Sequence, residues 1–394
     1  MTAGEAMSLS GRLFPDGGPA RVRVEGGVIR AVEPAGALDE PSDGQRWLVP
    51  GFFDLQVNGF AGRSFSGPDL SVEAVEAVAR AMLATGVTRF LPTVVTADLE
   101  AMARRLAVLA EAMDRSPLVS AMCPGIHLEG PFIHPEDGPR GAHRRAYVRD
   151  PDVGDFERLR AAARGRIAML TLAPERPGGI ELIRHASARG AVVALGHHRA
   201  DADALDRAVA AGARVCTHLG NGADALLPRH AGNYIWQQLG DDRLWATFIA
   251  DGHHLPPAVL RSMLRAKGLE RSILVTDTTD LAGQPPGRYD HHGLEVELTP
   301  DGRIVIPGTS YLAGSAADVP LLIGRAVADA GLTFPQAVAL VTLQPETLMG
   351  GHGPAWPCSP GRPANLVELL WRPQTAAVQV ARAVIGAFMH AAEA

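Results

Sequence analysis

Five times in the middle of this sequence a short apolar run ends on a side chain able to bind a metal or carry a proton, and the run then breaks. Ile126-His127-Leu128 ends on Glu129 and is stopped by Gly130-Pro131. Val192 to Gly196 ends on His197, and Arg214 to Thr217 ends on His218. Thr247 to Ala250 runs into Asp251-Gly252-His253-His254, and Ser272 to Thr276 ends on Asp277. Taken singly, a carboxylate or imidazole at a strand end is most often just solvated. The repetition is what constrains the fold. A parallel barrel assembles its chemistry from the C-terminal ends of successive strands.

The chain around these runs alternates strand and helix patterns. Strand candidates start near Phe52, Thr88, Gly125, Ile167, Ala191, Arg214, Trp245 and Ser272. Helical periodicity covers Val72 to Thr85, Leu99 to Asp114, Phe156 to Arg164, Ile180 to Arg189, Ala202 to Ala211, Pro257 to Ala266 and Ala317 to Ala330. Eight strand candidates, each followed by a helix or a plausible helix site, close most economically into a (β/α)8 barrel. A doubly wound open sheet is the alternative, but no G-x-G-x-x-G follows the first strand. Both ends of the chain read differently. Period-two alternation with Gly-rich turns runs from Gly11 to Glu33, and strand-like segments return at Asn365 to Trp371 and Val378 to Phe388. The expected fold is therefore α/β, a TIM barrel over 49–357 with a small β-sandwich domain built from both termini, residues 1–48 and 358–394. An insertion from Gly283 to Ser310 reads as a hairpin over the barrel mouth.

Composition removes several functions. The formal charge is −6 with no basic tract, which argues against a nucleic-acid partner. No apolar stretch is long enough to span a bilayer, and Met1 to Ser10 lacks the pattern of a signal peptide, so the expected compartment is the cytoplasm. Cys123, Cys216 and Cys358 form no C-x-x-C pair and read as reduced thiols. Lys267 is the only lysine, placed mid-chain on a helical pattern, so Schiff-base chemistry has one poorly placed candidate.

One carboxylate and two imidazoles suffice for a catalytic metal with an open position. Glu129, His197 and His218 are that set. Nitrogen and oxygen donors together favour zinc or another transition ion over magnesium or calcium. Asp277 is the candidate proton carrier, able to take a proton from an activated water and return it to a leaving group; an N-cap role can fall to its neighbours. His127, His143, His198, His253 and His254 are a surplus of imidazoles near strand ends, and His291 and His292 read as surface. Arg229, in the loop after His218, suits bidentate phosphate recognition.

With these pieces in place the sequence resembles the N-acetylglucosamine-6-phosphate deacetylase family of the amidohydrolase superfamily. The marks run in order along nearly the whole chain: PGFFDLQVNGFAG from Pro50, GIHLEGPF from Gly125, RGAH from Arg140, GHH from Gly196, THLGN from Thr217, ADGHH from Ala250, VTD from Val275 and LAGS from Leu312. The resemblance implies an amidohydrolase-type barrel that removes acetate from N-acetylglucosamine 6-phosphate. It implies metal ligation by Glu129, His197 and His218, and acid–base catalysis by Asp277. His143 would sit at the substrate carbonyl, and Ala142 beside it would bind substrate. His254, Arg229 and the Asn221-Gly222 backbone would hold the sugar phosphate, and Leu312, Ala313 and Gly314 would line the sugar pocket. A homodimer is also implied, because the phosphate-reading arginine can come from the partner.

Three departures qualify the match. Gln56 and Asn58 stand where many amidohydrolases carry a His-x-His pair; neutral amides are poor ligands, so one ion per chain is expected, zinc first, with iron, cobalt or manganese as alternatives. Gly220-Asn221-Gly222 replaces the aromatic-Asn-Ala run usual after the sixth strand. Arg140 replaces the usual lysine and keeps its charge. Three other readings stay open: a deacetylase of the galactosamine epimer, a silent relative kept as a binding protein, and a barrel aldolase or isomerase that the position of Lys267 disfavours.

Overall fold

The computed structural model describes residues 6–229, 232–291, 294–309, 311–350 and 358–392. His292 and Ser310, which end the surface reading and the insertion above, lie outside the described residues. Eight parallel strands succeed one another in chain order: Phe52–Val57, Val87–Val95, Ile126–Glu129, Ile167–Leu172, Val192–Leu195, Ala213–Cys216, Trp245–Phe248 and Ser272–Leu274. Each pairs in parallel with the next, as in Thr93 opposite His127 and Leu172 opposite Leu195. Between the first and eighth strands the ladder thins to one parallel bridge, Val57 with Thr278. A backbone bond and a side-chain bond close that seam: Asn58 N–H donates to the Thr278 carbonyl at 2.8 Å, and the Asp54 carboxylate accepts from the Thr276 hydroxyl at 2.5 Å.

The period-two pattern of the strands separates two cores. Leu55, Leu91, Met169, Val192, Val215, Trp245 and Ile273 pack together as one apolar cluster inside the barrel. Alternate residues such as Phe52, Phe90, Leu128, Leu170, Val193 and Phe248 face the helices. The helices form where periodicity and caps agree. In Leu99–Arg115, Asp98 caps the first turn, and Met102, Leu106, Leu109 and Met113 make one buried stripe. Truncating Leu106 to Ala there costs about 2–5 kcal/mol, the usual range for a buried leucine. In Ala202–Ala211, Asp201 caps Ala204 and Gly212 ends the helix in the left-handed region at φ +119°. The short helices Pro117–Met122, Tyr234–Gly240, Phe334–Ala339 and Leu343–Leu348 are too brief to show a full periodic stripe in the sequence.

The terminal strands unite. Met7–Leu13, Gly18–Glu25, Val28–Pro34 and Gln45–Pro50 join Asn365–Arg372, Ala377–Ile385 and Phe388–Ala391 in a seven-stranded, mostly antiparallel sheet. The junction is Gln45–Pro50 against Asn365–Arg372. Leu9, Val22, Ile29, Leu366 and Val384 form its own core, while Trp47 and Trp371 pack on Phe334 of the barrel layer at 5.1 and 4.7 Å. The insertion is larger than a hairpin. Gly287–Asp290, Glu295–Leu298, Arg303–Val305 and Leu312–Ser315 make a four-stranded antiparallel meander around Val296, Leu298 and Ile304. Its fourth strand is the LAGS segment, so the meander brings Leu312 to Gly314 back to the barrel mouth.

Candidate active site

The side chains singled out at strand ends converge. Glu129 is the last residue of the third strand and is buried; Gly130 follows at φ +80°. His197, His218 and Asp277 each lie just past a strand with left-handed backbone, at φ +54°, +29° and +51°. Non-glycine residues avoid that region, and such strain is tolerated where the surroundings over-determine it. Here the bend turns each side chain toward the barrel axis.

Glu129 Oε1, His197 Nε2 and His218 Nε2 form a triangle with edges of 3.2, 3.0 and 3.2 Å. His143 Nε2 stands 3.3 Å from His197 Nε2, so that Glu129, His143 and His197 also share one neighbourhood. His197 Nδ1 donates to Pro139 O at 2.8 Å, which fixes the proton there and turns the Nε2 lone pair inward. Lone pairs of an imidazole and a carboxylate meeting at 3.2 Å repel unless a cation or proton lies between them. Ligand atoms about 2.0 Å from a tetrahedral zinc ion are separated by about 3.3 Å, close to these edges. The donor set therefore fits a divalent metal ion. Among the two glycines near His197, Gly222 is the tighter: at φ +54° an added Cβ would lie 2.6 Å from His197 Nδ1.

Electrostatics follow from burial and proximity. Burial works against the Glu129 charge, but its bonds to His197 and His218 hold the carboxyl well below the ordinary range. His218 is raised, with burial opposing and Glu129 prevailing. His143 is pushed down to about 3, by burial first and then by His197. Asp277 is raised to about 6, by burial first and then by the charge of Glu129. Two amides grip it: Gln56 Nε2 at 2.9 Å and Asn58 Nδ2 at 2.7 Å, both on Oδ1.

These groups border a cavity of about 510 Å³, within the usual size for a small-molecule site. Ala142, His143, Asn221, Gly222, His254, Leu312, Ala313 and Gly314 all line it. His254 is held by Asp251, which accepts from Nδ1 at 2.7 Å and from the His253 and His254 backbone at 2.8 and 2.9 Å. Arg229 is different: it is exposed and is not part of the cavity wall. Arg140 braces the His143 loop through the carbonyls of Gly141 and His143 and through Asp137.

Thr96 and Thr171 were not singled out in the sequence, and His127 and Asp251 were named there without a role. Thr96 Oγ1 meets His143 Nδ1 at 2.8 Å. His127 is fully buried, bonded to Thr171 at 2.8 Å, with Thr171 on Thr217 at 2.8 Å, a polar layer beneath the ligand-type residues. Asp251 could have been found from its spacing three residues before His254. The surface reading of His291 is corrected: its side chain is 17% exposed, pairs with Asp280 at 2.9 Å and lines the cavity, because the meander folds over the mouth. Lys267 is committed elsewhere. Its ammonium donates to the carbonyls of Gln238, Asp241 and Leu244 at 2.6, 2.8 and 3.1 Å, three converging acceptors that suit three ammonium protons. That removes the Schiff-base reading.

Comparison with known proteins agrees with this geometry. The amidohydrolase family pattern matches residues 47–380. N-acetylgalactosamine-6-phosphate deacetylase of Escherichia coli O157:H7 is 32% identical over 349 residues, 89% of this chain and 90% of that protein. Human N-acetylglucosamine-6-phosphate deacetylase is 38% identical over 331 residues, 79% of this chain and 77% of that protein. An aspartate-to-alanine mutant of the Mycobacterium smegmatis N-acetyl-D-glucosamine-6-phosphate deacetylase, solved with N-acetyl-D-glucosamine 6-phosphate, superposes with a TM-score of 0.84 at 29% identity, covering 98% of this chain and 99% of that one. Among the described residues no helix is long and apolar enough to cross a membrane.

Proposed function

The chain belongs to the amidohydrolase family, and we propose that it deacetylates N-acetylglucosamine 6-phosphate to glucosamine 6-phosphate and acetate. The observation that carries the reading is the triangle of Glu129, His197 and His218 donor atoms beside Asp277 in one cavity. We assign those three residues to one divalent ion, zinc first, with iron, cobalt or manganese as alternatives. Bound there, the ion supplies Lewis acidity toward the acetamide carbonyl and acidifies water.

The chain's own residues do the rest. A Thr96 hydroxyl donating to His143 Nδ1 leaves the His143 proton on Nε2, where it donates to the carbonyl oxygen as negative charge builds. Asp277, ionised at the start, takes a proton from the attacking water. The water oxygen bonds the carbonyl carbon, the C–N bond breaks, and Asp277 returns the proton to the departing amine. His254, oriented by Asp251, and the Asn221-Gly222 backbone meet the sugar phosphate, while Ala142 and Leu312 to Gly314 shape the sugar pocket. The exposed position of Arg229 suits a homodimer in which the Arg229 of one subunit reads phosphate in the cavity of the other. We assign the reaction to residues 49–357, with 1–48 and 358–394 as the supporting β domain. Three free thiols suit the reducing cytoplasm, where we place the protein.

The epimer is the second reading, favoured by the high coverage of the E. coli relative named for galactosamine. Acetate release measured on the 6-phosphates of both N-acetyl sugars separates the two. A higher kcat/KM for the glucosamine epimer supports the proposal, and the reverse order supports the second reading. No acetate from either would leave only a silent relative.

A further inference from the structure

We propose that Gln56 and Asn58 are positioning residues that aim the Asp277 carboxylate and hold it apart from Glu129. The inference rests on the proton-carrying role assigned to Asp277 above. Gln56 Nε2 lies 3.0 Å from Glu129 Oε1 and 2.9 Å from Asp277 Oδ1, so one amide nitrogen bridges two carboxylates with its two protons. Asn58 Nδ2 adds a second donor to the same Asp277 oxygen at 2.7 Å. The amide orientations are fixed by charge. Turning Gln56 over would set its oxygen against two anionic oxygens, and turning Asn58 over would do the same against one. Asn58 accepts a cost to avoid this: its buried Oδ1 has no partner.

The location makes the amides necessary. Asp277 sits past the eighth strand at φ +51°, across the seam where a single backbone bridge joins the eighth strand region to the first. Gln56 and Asn58 come from the end of the first strand and span that seam. Both donors fall on Oδ1, and none of the described hydrogen bonds uses Oδ2, which leaves Oδ2 as the oxygen for the travelling proton. A neutral donor pair suits this task better than a cation. Two N–H dipoles orient the carboxylate and screen it from Glu129, while a full positive charge in the same place would make Asp277 a weaker base.

The test uses the metal-loaded full chain with Gln56→Met and Asn58→Leu, read by kcat, KM and metal content. Hydrogen bonds to a charged group contribute about 1.5–3 kcal/mol, so kcat is expected to fall roughly tenfold to a hundredfold, with KM within about threefold and one ion retained. In an Asp277→Asn background the same substitutions should change the residual kcat by less than about twofold, because no carboxylate remains to be aimed. If Gln56→Met does not fold, Asn58→Leu decides, since the Asn58 amide bonds only Asp277 among the described partners. A binding measurement stands apart from activity. Gln56→Glu replaces the bridging protons with a third carboxylate, and titration of zinc into the chelated protein should rise from about one ion per chain to about two. A wild type that releases no acetate would fail the deacetylase reading and leave this titration to judge the bridge. A loss carried by KM, a loss undiminished in the Asp277→Asn background, or a titration that stays at one ion each overturns the assignment.

Discussion

Replacing Asp277 with asparagine removes one proton site and almost nothing else. The new amide oxygen can still accept from Gln56 and Asn58, so the seam stays closed and Glu129, His197 and His218 are untouched. What is lost is a base that takes a proton from water and an acid that returns it. General acid–base catalysis contributes ~10²–10⁴-fold, so kcat should fall by that factor, about 3–5 kcal/mol in barrier. The pH profile gives a second, independent readout. Burial first, and the Glu129 charge second, raise Asp277 to about 6, and a bound cation pulls it back down. The acid limb of kcat/KM should therefore lie between about 4, the ordinary carboxylate value, and about 6. Below it Asp277 is protonated and the rate drops tenfold per pH unit; above it the profile is flat. Steady-state acetate release from pH 4 to 8 measures both quantities. A variant within about fivefold of wild type, or one that keeps the same acid limb, would refute the role given to Asp277.

Arg229→Ala should lower kcat/KM roughly tenfold to a hundredfold or more for the 6-phosphate and hardly at all for the unphosphorylated sugar; an unchanged ratio of the two substrates would remove Arg229 from phosphate binding. Gly222→Ala should press a methyl group onto the His197 ring and weaken zinc affinity about 10–100-fold in a chelator competition, whereas unchanged affinity would argue that His197 is not a ligand. Asp54 is fully buried at the seam, and burial raises its pKa from 3.8 to about 7. Between those values the folded chain binds a proton that the unfolded chain releases, so stability is full below the lower pKa and is lost as pH rises through the higher one. From pH 5 to 8 wild type should lose about 2–3 kcal/mol relative to Asp54→Asn in denaturant titrations; a constant difference between the two proteins would mean that no charge is forced on Asp54.

Glu129, His197, His218 and Asp277 were legible because each ends an apolar run at a break, and strand ends are fixed by local pattern alone. The seven long helices were legible for the same reason, periodicity and caps being properties of neighbouring residues. His291 was not, since its burial depends on how the meander folds back over the mouth. The Pro139 carbonyl that sets the His197 tautomer is a backbone group 58 positions away, and no residue type advertises it. Gln56 and Asn58 were noticed as substitutes for ligands, but their grip on Asp277 bridges 221 and 219 positions and exists only once the barrel closes. The part Asp54 plays exists only once the seam gives it Thr276 as a partner, 222 positions away.

The most direct test of the account is metal reconstitution followed by acetate release. Chelated protein should release no acetate from N-acetylglucosamine 6-phosphate, and activity should rise in proportion to added zinc until a break at one equivalent per chain. Activity that survives chelation, or a break at two equivalents, would contradict a single ion held by Glu129, His197 and His218.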